Sequence, residues 1–359
     1  KNKMASHGRT STRGRSVFAS PYQIKFHLFH RITIELLCTG FTSKGGHSMK
    51  TAILLLGFNR VDYFQQTLAA LEVNKAAYDC DLHVYLDGGE KARQNDLIEL
   101  VKNSSFQNPT FVLREENWGI GRHLIDARRT LFDDLSYDRI ILLEDDMLLA
   151  PSYIQTVLDL LDWSQDFCDI GTVMAYNINH DSAELQTHQM EHVVATNRHF
   201  WGYAMTREVW DIIKHIIYDF EKKYLSKNTY RDRSHFRIRW MFMRSIMSKK
   251  RHIRTGKNLI PDACLTPPFP RIPRKSPTSQ DAITALALWH HGFGRITMRV
   301  SRAEYIGVEG FSFSPKLYAD FGFENQNTQD LSQFTTAVTQ YEFATHDEQG
   351  SILKPRPYE

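Results

Sequence analysis

The stretch that most constrains this chain runs from Ile140 to Ala150, Ile-Ile-Leu-Leu-Glu-Asp-Asp-Met-Leu-Leu-Ala, with Pro151 directly behind it. Four consecutive aliphatic residues suit a central parallel strand covered on both faces. Such a run ends in three carboxylates either because the strand simply reaches water there or because the acids serve a ligand. In an open α/β sheet, ligands bind outside the carboxyl ends of the strands, and Pro151 suits the first turn of a following helix. Glu144, Asp145 and Asp146 repel one another unless a cation or hydrogen-bond donor joins them. A hard divalent ion with oxygen ligands, Mn2+ or Mg2+, meets that need, the more so if it bridges a carboxylate and a diphosphate.

Upstream of this stretch, strand and helix alternate. Ala52–Leu56, Leu82–Leu86 and Thr110–Leu113 read as strands; the helical patterns run from Tyr63 through Leu71, over Ala92–Val101 and over about Ile120–Asp134. Repeated alternation predicts a Rossmann-like, mostly parallel central sheet with helices on both faces. No Gly-x-x-x-x-Gly-Lys-Ser/Thr loop is present, and no Gly-x-Gly-x-x-Gly opens a helix after the first strand. Kinases, ATPases and common dehydrogenases therefore lose ground. A bound diphosphate must find positive charge elsewhere, and a metal at the acidic triplet supplies it.

Net charge is only +3 over 359 residues, which gives no argument for nucleic acid as a partner. Cys38, Cys80, Cys168 and Cys264 lie far apart with no Cys-x-x-Cys pair, so neither a zinc knot nor a disulfide framework is indicated and a reducing cytoplasm is the expected compartment. Residues 1–49 differ from the rest: Lys1 to Ile34 holds seven Lys or Arg and no acid. A basic disordered extension is expected there, outside the fold. The tail, 324–359, mixes polar and aromatic residues and reads as a loosely packed end or docking segment.

Several of these pieces, in order, resemble a known family. Gly57-Phe58-Asn59-Arg60 follows the first strand, Asp87-Gly88-Gly89 ends the second, Arg122-His123 lies 21 residues before Glu144, and Glu144-Asp145-Asp146 closes the aliphatic strand. Phe200-Trp201-Gly202-Tyr203-Ala204 and then Ser301-Arg302, Gly307, Gly310 and Ser312 follow. Together they resemble GT-A fold glycosyltransferases, and within them the N-acetylglucosaminyltransferase I group and its bacterial relatives. The likeness spans about 50–323. It divides into a nucleotide-binding half, 50–180, and an acceptor and catalytic half, 181–323, carrying a basic helical and proline-rich insertion at about 220–278.

The resemblance implies transfer of a sugar from a nucleotide sugar, a UDP-sugar and more narrowly UDP-N-acetylglucosamine, to a hydroxyl of a glycan, lipid-linked sugar or protein, with inversion. Asp146 is the implied metal ligand, with Asp145 nearer the ribose and Glu144 orienting donor groups. Asn59, Arg60, Asp87 and His123 are implied nucleotide contacts; Asp87 is equally a good turn former, and His123 equally a packed helix residue. Asp281, which opens an amphipathic helical pattern ending at His290-His291-Gly292, is the implied base that takes the acceptor proton, although an acid there also suits a helix start. Asp262 and Glu309 stand in reserve. A sugar nucleotidyltransferase is the rival enzyme, but Gly57-Phe58-Asn59-Arg60 is a poor match for the glycine-rich basic loop it needs, and a sugar-binding relative without turnover is the non-enzymatic rival. The insertion supplies a helix from about Ser234 to Lys250 that mixes Arg with Phe, Trp and Met, suited to anionic lipid, to an acidic acceptor or partner, or to a core helix with solvated arginines.

Overall fold

The structure is a computed structural model. It describes residues 49–179, 181–197, 200–225, 233–247, 251–262, 265, 278–310, 314–326, 328–331, 333–334, 338–343 and 356–357. The basic extension expected up to residue 49 therefore lies, apart from Met49, outside the described residues, as does the proline-rich stretch 267–274.

The elements follow in the order β1 (Thr51–Gly57), α1 (Val61–Glu72), β2 (Asp81–Leu86), α2 (Gln94–Lys102), β3 (Thr110–Leu113), α3 (Gly119–Arg129), β4 (Arg139–Leu143), β5 (Met147–Leu149), α4 (Tyr153–Ser164), β6 (Ile170–Met174), α5 (Ala183–Thr187), β7 (Val193–Thr196), β8 (Tyr203–Thr206), α6 (Arg207–Phe220), α7 (His235–Met247), α8 (Gln280–His290), β9 (Gly294–Met298), β10 (Ala303–Tyr305), α9 (Pro315–Asp320), β11 (Val338–Phe343) and β12 (Arg356–Pro357). One sheet runs β12-β11-β7-β9-β6-β8-β4-β1-β2-β3, and β5 pairs with β10 in a separate antiparallel ladder.

The half made of β4, β1, β2 and β3 is parallel throughout. Its strands are aliphatic because they are covered twice. On β1, Ile53 and Leu55 join one apolar cluster, with Phe64, Leu68 and Leu97 from α1 and α2, while Ala52, Leu54 and Leu56 join the other, with Leu124, Ile213 and Ile283 from α3, α6 and α8. From β1 the chain steps outward to β2 and β3, then returns to place β4 on the other side of β1. This reversal opens a crevice at the carboxyl ends of β1 and β4, where an α/β sheet takes its ligand.

Beyond β4 the sheet is mixed, since β8 runs antiparallel between β4 and β6. The expected layers are present, and three local readings need correction. α8 is not amphipathic: Ala282 through Trp289 are all buried, because it is sandwiched rather than laid on the surface. The tail is not merely a loose end, for β11 pairs in parallel with β7 and β12 closes on β11. The third helix is α-helical only to Arg129, and a wider turn continues it to Asp134. Among the described residues no helix is long and apolar enough to cross a membrane.

Gly202, at the turn into β8, joins two layers. Its φ is +60°, its carbonyl accepts the Tyr153 hydroxyl at 2.5 Å, and a Cβ there lies 2.8 Å from Met147 Cε as well as inside the Tyr153 hydroxyl. Gly202→Ala combines left-handed strain with a clash in a closed core, so it is expected to cost at least about 2 kcal/mol in urea unfolding. A loss below about 0.5 kcal/mol contradicts this packing.

Candidate active site

The loop after β1 and the loop after β4 meet in the crevice. Arg60, entering α1, donates through Nη2 and Nε to the Asp145 carboxylate, the Nε contact being 3.3 Å, and its Nη1 lies 2.8 Å from Asp146 Oδ2. Both acids are almost fully buried, at 6% and 3% exposure. Burial raises the Arg60 cost of carrying charge, but Asp145 and Asp146 more than offset it and hold the guanidinium protonated. The Asp145 carboxyl is pushed up to about 6, chiefly by burial, with Arg60 opposing and Asp146 adding to the rise. Burial also raises Asp146. Glu144 is pushed well above the usual carboxylate range by burial first, then by the charges of Asp146, Asp281 and Asp145. One arginine faces a group of acids whose ionisation burial penalises.

The segment after β10 closes over this group. The Asp146 carbonyl accepts the Ile306 N–H at 2.9 Å, and the ladder between β5 and β10 fixes that approach. Gly307 sits so close that an added Cβ is 2.7 Å from Asp146 Oδ2 and 2.5 Å from the Tyr305 hydroxyl. The Glu309 N–H donates to the Tyr63 hydroxyl at 3.4 Å, tying the segment back to α1. Tyr305 hydrogen-bonds Asp146 and stacks on Trp201 with ring centroids 4.9 Å apart. The aromatic Phe200–Ala204 segment thus reaches the acids through Trp201.

Asp281 is brought to the same place from the opposite side of the sheet. It stands in the first turn of α8, whose N-terminus is capped by Ser279 rather than by Asp281: the Ser279 Oγ accepts the Ala282 N–H at 3.2 Å. Gln280 donates to the Asp281 carboxylate, which burial raises against the opposing charges of Arg128 and Arg295. Arg128 of α3 is 1% exposed and donates to Tyr203 Oη at 3.0 Å, Thr284 Oγ1 at 3.1 Å and Gln280 Oε1 at 3.4 Å. Arg295 of β9 lies over the Phe200 ring at 4.1 Å, and burial lowers it to about 9 while Asp281 opposes the fall. Sequence reasoning missed Arg128 and Arg295. The available signal was an arginine at an inward position of an otherwise apolar helix or strand pattern.

The remaining sequence-selected residues divide. Asn59 is exposed on the rim beside Arg60. Asp87 is buried and serves the main chain: Oδ1 accepts the Trp118 N–H at 2.8 Å and the Gly88 N–H at 3.0 Å, and Oδ2 accepts the Gly119 N–H at 2.9 Å. It therefore fixes the loop before α3 through main-chain N–H groups. His123 is 2% exposed, its Nδ1 3.4 Å from Arg114 Nε and its ring edge-on to Tyr85, and burial lowers its basicity. The packed alternative describes it. Its neighbour Arg122 instead reaches the surface and stacks 3.7 Å over Trp118, which also carries Arg114 at 4.1 Å. Asp262 is exposed and paired with Arg251, and Glu309 is exposed.

Among the described residues no three His, Cys, Asp or Glu groups converge as a self-sufficient metal cage. The donor set nonetheless fits a hard divalent cation of the kind that uses one or two carboxylates and completes its shell with phosphate and water. Asp146 Oδ1 is buried without a hydrogen-bond partner, and a cation restores to all three acids the charge that burial penalises. A cavity of about 30 Å³ lies behind Arg295, and a wider depression of about 570 Å³ lies beyond β2 and β3. Neither is lined by the acids, and the chemistry of the side chains, not the size of a hollow, marks the site.

No family model matches the chain. A curated relative, the alpha-1,3-mannosyl-glycoprotein 2-beta-N-acetylglucosaminyltransferase of Arabidopsis thaliana, is 24% identical over 184 residues, covering 47% of this chain. The chain covers 40% of that protein's length. This is the group that the motifs resemble. Among solved structures, a mannosyltransferase of Pyrobaculum calidifontis in complex with GDP-Man and Mn2+ overlaps 54% of this chain and 52% of its own, at 12% identity and a TM-score of 0.34. S. aureus TarS 1-349 in complex with UDP-GlcNAc overlaps 45% and 47%, at 12% identity and a TM-score of 0.33.

The elevated Asp145 pKa fixes a pH dependence. Between the unfolded carboxylate value near 4 and the folded value of about 6, the native protein holds more protons than the unfolded chain. Stability in EDTA should therefore fall as pH rises through that window, by on the order of 2 kcal/mol for this group. Asp145→Asn should flatten the fall and be the more stable protein at pH 8. Urea melts across pH 4–8 decide it, and parallel curves for the two proteins refute the assignment.

Proposed function

We propose that this chain is a metal-dependent glycosyltransferase that moves a sugar from a UDP-sugar, UDP-N-acetylglucosamine by preference, to an acceptor hydroxyl with inversion. The observation that carries the reading is the meeting, at one sheet reversal, of two buried carboxylates and the half-buried Glu144 with a shared counter-cation in Arg60 and a separate carboxylate on α8. A nucleotidyltransferase has no use for the last of these. A binding-only relative has no need of Asp281 held between Arg128 and Arg295.

Asp146, with Asp145 beside it, would hold Mn2+ or Mg2+, which when bound supplies charge neutralisation for the leaving diphosphate. Arg60 lies within reach of the same oxygens and is the group available to a phosphate once a cation takes its carboxylates. The loop carrying Gly307 and Gly310 brings bare backbone against Asp146 and Arg60, closer at Gly307 than a side chain allows. Asn59 on the rim and the Arg114, Trp118 and Arg122 stack offer donors and a π-face to the nucleoside. Asp87 contributes by fixing the loop that carries Trp118.

In the transfer, the bond from the acceptor oxygen to the anomeric carbon forms as the bond from that carbon to the diphosphate oxygen breaks. The acceptor proton goes to Asp281, whose burial keeps its proton affinity above that of a free aspartate. Arg128 and Arg295 oppose the rise that burial causes, and Arg128 orients the carboxylate through Gln280. Glu144, which burial and the charges of Asp146 and Asp281 raise, is placed to hydrogen-bond a sugar hydroxyl.

UDP with Mn2+ should raise the melting temperature, and EDTA should abolish most of the shift, because a ligand specific to the folded state stabilises it. Asp146→Ala should lose the metal-dependent part. Asp281→Asn should keep UDP binding and lose turnover by at least about a hundredfold, read as UDP release from UDP-sugars. Consumption of a nucleoside triphosphate with pyrophosphate release establishes the nucleotidyltransferase instead, and binding without release by the native protein establishes the non-catalytic relative. Arg60→Met separates the two tasks of Arg60: titration calorimetry should find Mn2+ alone bound more tightly and UDP more weakly than in the native protein. Equal affinities for both ligands remove Arg60 from the site.

A further inference from the structure

The donor site leaves unused the face of α7 that points away from the core. Ile238 and Phe242 of this helix are buried among the residues of α6 and α8. That packing satisfies the helix as a structural element. On its other side Phe236 is 75% exposed, Trp240 49% and Met247 67%. At roughly 100° per residue these three fall within about 40° of one another, and the exposed Arg244 and Arg237 follow at about 80° and 100° from Phe236. The sequence His-Phe-Arg-Ile-Arg-Trp-Met-Phe-Met-Arg-Ser-Ile-Met contains three arginines and no acid. Ile253, six residues past the end of the helix, is 71% exposed as well.

Three large apolar groups in one row, with cations along one side, meet water at a cost that folding does not recover. We infer that this face of α7 lies on an anionic membrane surface, with Phe236, Trp240 and Met247 entering the boundary between headgroups and acyl chains and Arg237 and Arg244 on the phosphates. Charge chooses this occupant. In a symmetric pair of chains the same patch meets itself, so Arg237 and Arg244 would confront their own copies with no acid on the helix to separate them. A tryptophan flanked by arginines is the side-chain set that prefers the lipid interface, where one end is apolar and the other wet. The inference rests on α7 alone and holds whether or not the donor assignment does.

The test uses the purified full chain and sucrose-loaded vesicles of phosphatidylcholine with or without phosphatidylglycerol. Sedimentation should occur only with the anionic vesicles, weaken as salt rises, and be accompanied by a blue shift of tryptophan emission that Trp240→Ser reduces. Arg237→Glu and Arg244→Glu should each weaken binding by at least about fivefold. Phe236→Ser should weaken it without altering its salt dependence. All four variants should keep the native circular dichroism and the response to UDP and Mn2+, since none touches the donor crevice. Equal sedimentation with neutral vesicles, no sedimentation, or binding that the variants leave unchanged overturns the inference. So does concentration-dependent self-association that Phe236→Ser abolishes, or an oligonucleotide that binds the same face more tightly than the vesicles.

Discussion

The site depends on one cation shared by two acids. Asp145 and Asp146 are adjacent, almost wholly buried and of like charge, an arrangement that burial alone pushes towards protonation. Arg60 makes it tenable by spanning both carboxylates. The cluster is thus balanced for one strong positive charge and tuned to lose or exchange it. A well-solvated surface triplet gains little from a metal, because water already stabilises its charge. A buried one whose Asp146 Oδ1 has no partner gains a great deal.

Topology makes this meeting unavoidable. Arg60 follows β1 and the acids follow β4, which are adjacent and parallel, so both loops leave the sheet at the same edge. The short ladder of β5 with β10 then brings Gly307 and Gly310 back over the same spot from a distant part of the chain. On the other face α8 is buried along nearly its full length, so Asp281 at its first turn has little freedom to move relative to the sheet. The base proposed in Asp281 would have to be fixed relative to the carbon it serves to within fractions of an ångström. A helix enclosed on all sides is a better mount for such a base than a surface loop.

The parts of this arrangement that were legible in the sequence are those written in local pattern. The aliphatic run Ile140–Leu143, its acidic end and the alternation before it specified the parallel half of the sheet, because burial on both faces leaves a continuous apolar signature. Long-range pairing left no such signature. Nothing local says that β8 inserts antiparallel between β4 and β6, or that β11 reaches back to β7. The burial of α8 was misread for a related reason: polar Thr284 interrupts its apolar run, and only the structure gives Thr284 a partner, in Arg128. Asp87 and His123 sit in the right segments but are engaged by main chain and core, and a residue type at a strand end carries no mark of which way its hydrogen bonds run.

Arg128 and Arg295 were the least legible and are chemically the most informative. A buried arginine costs several kcal/mol unless its donors are satisfied and its charge is matched. Arg128 meets the first condition at both terminal nitrogens, through Tyr203, Thr284 and Gln280 supplied by two different elements, while its Nε is left without a partner, and it meets the second through Asp281. Arg295, under burial strong enough to bring it down to about 9, has Asp281 as the acid that opposes the fall. Two buried cations placed about one carboxylate exceed what neutralising it requires. Over the whole cluster, however, Arg60, Arg128 and Arg295 stand against four acids, Glu144, Asp145, Asp146 and Asp281, so the excess is one negative charge. The polar interior of this protein is therefore arranged as alternating charge, from Arg60 through the acidic triplet to Asp281 and the two arginines behind it, and the acid in excess leaves the end at Asp146 suited to a further cation.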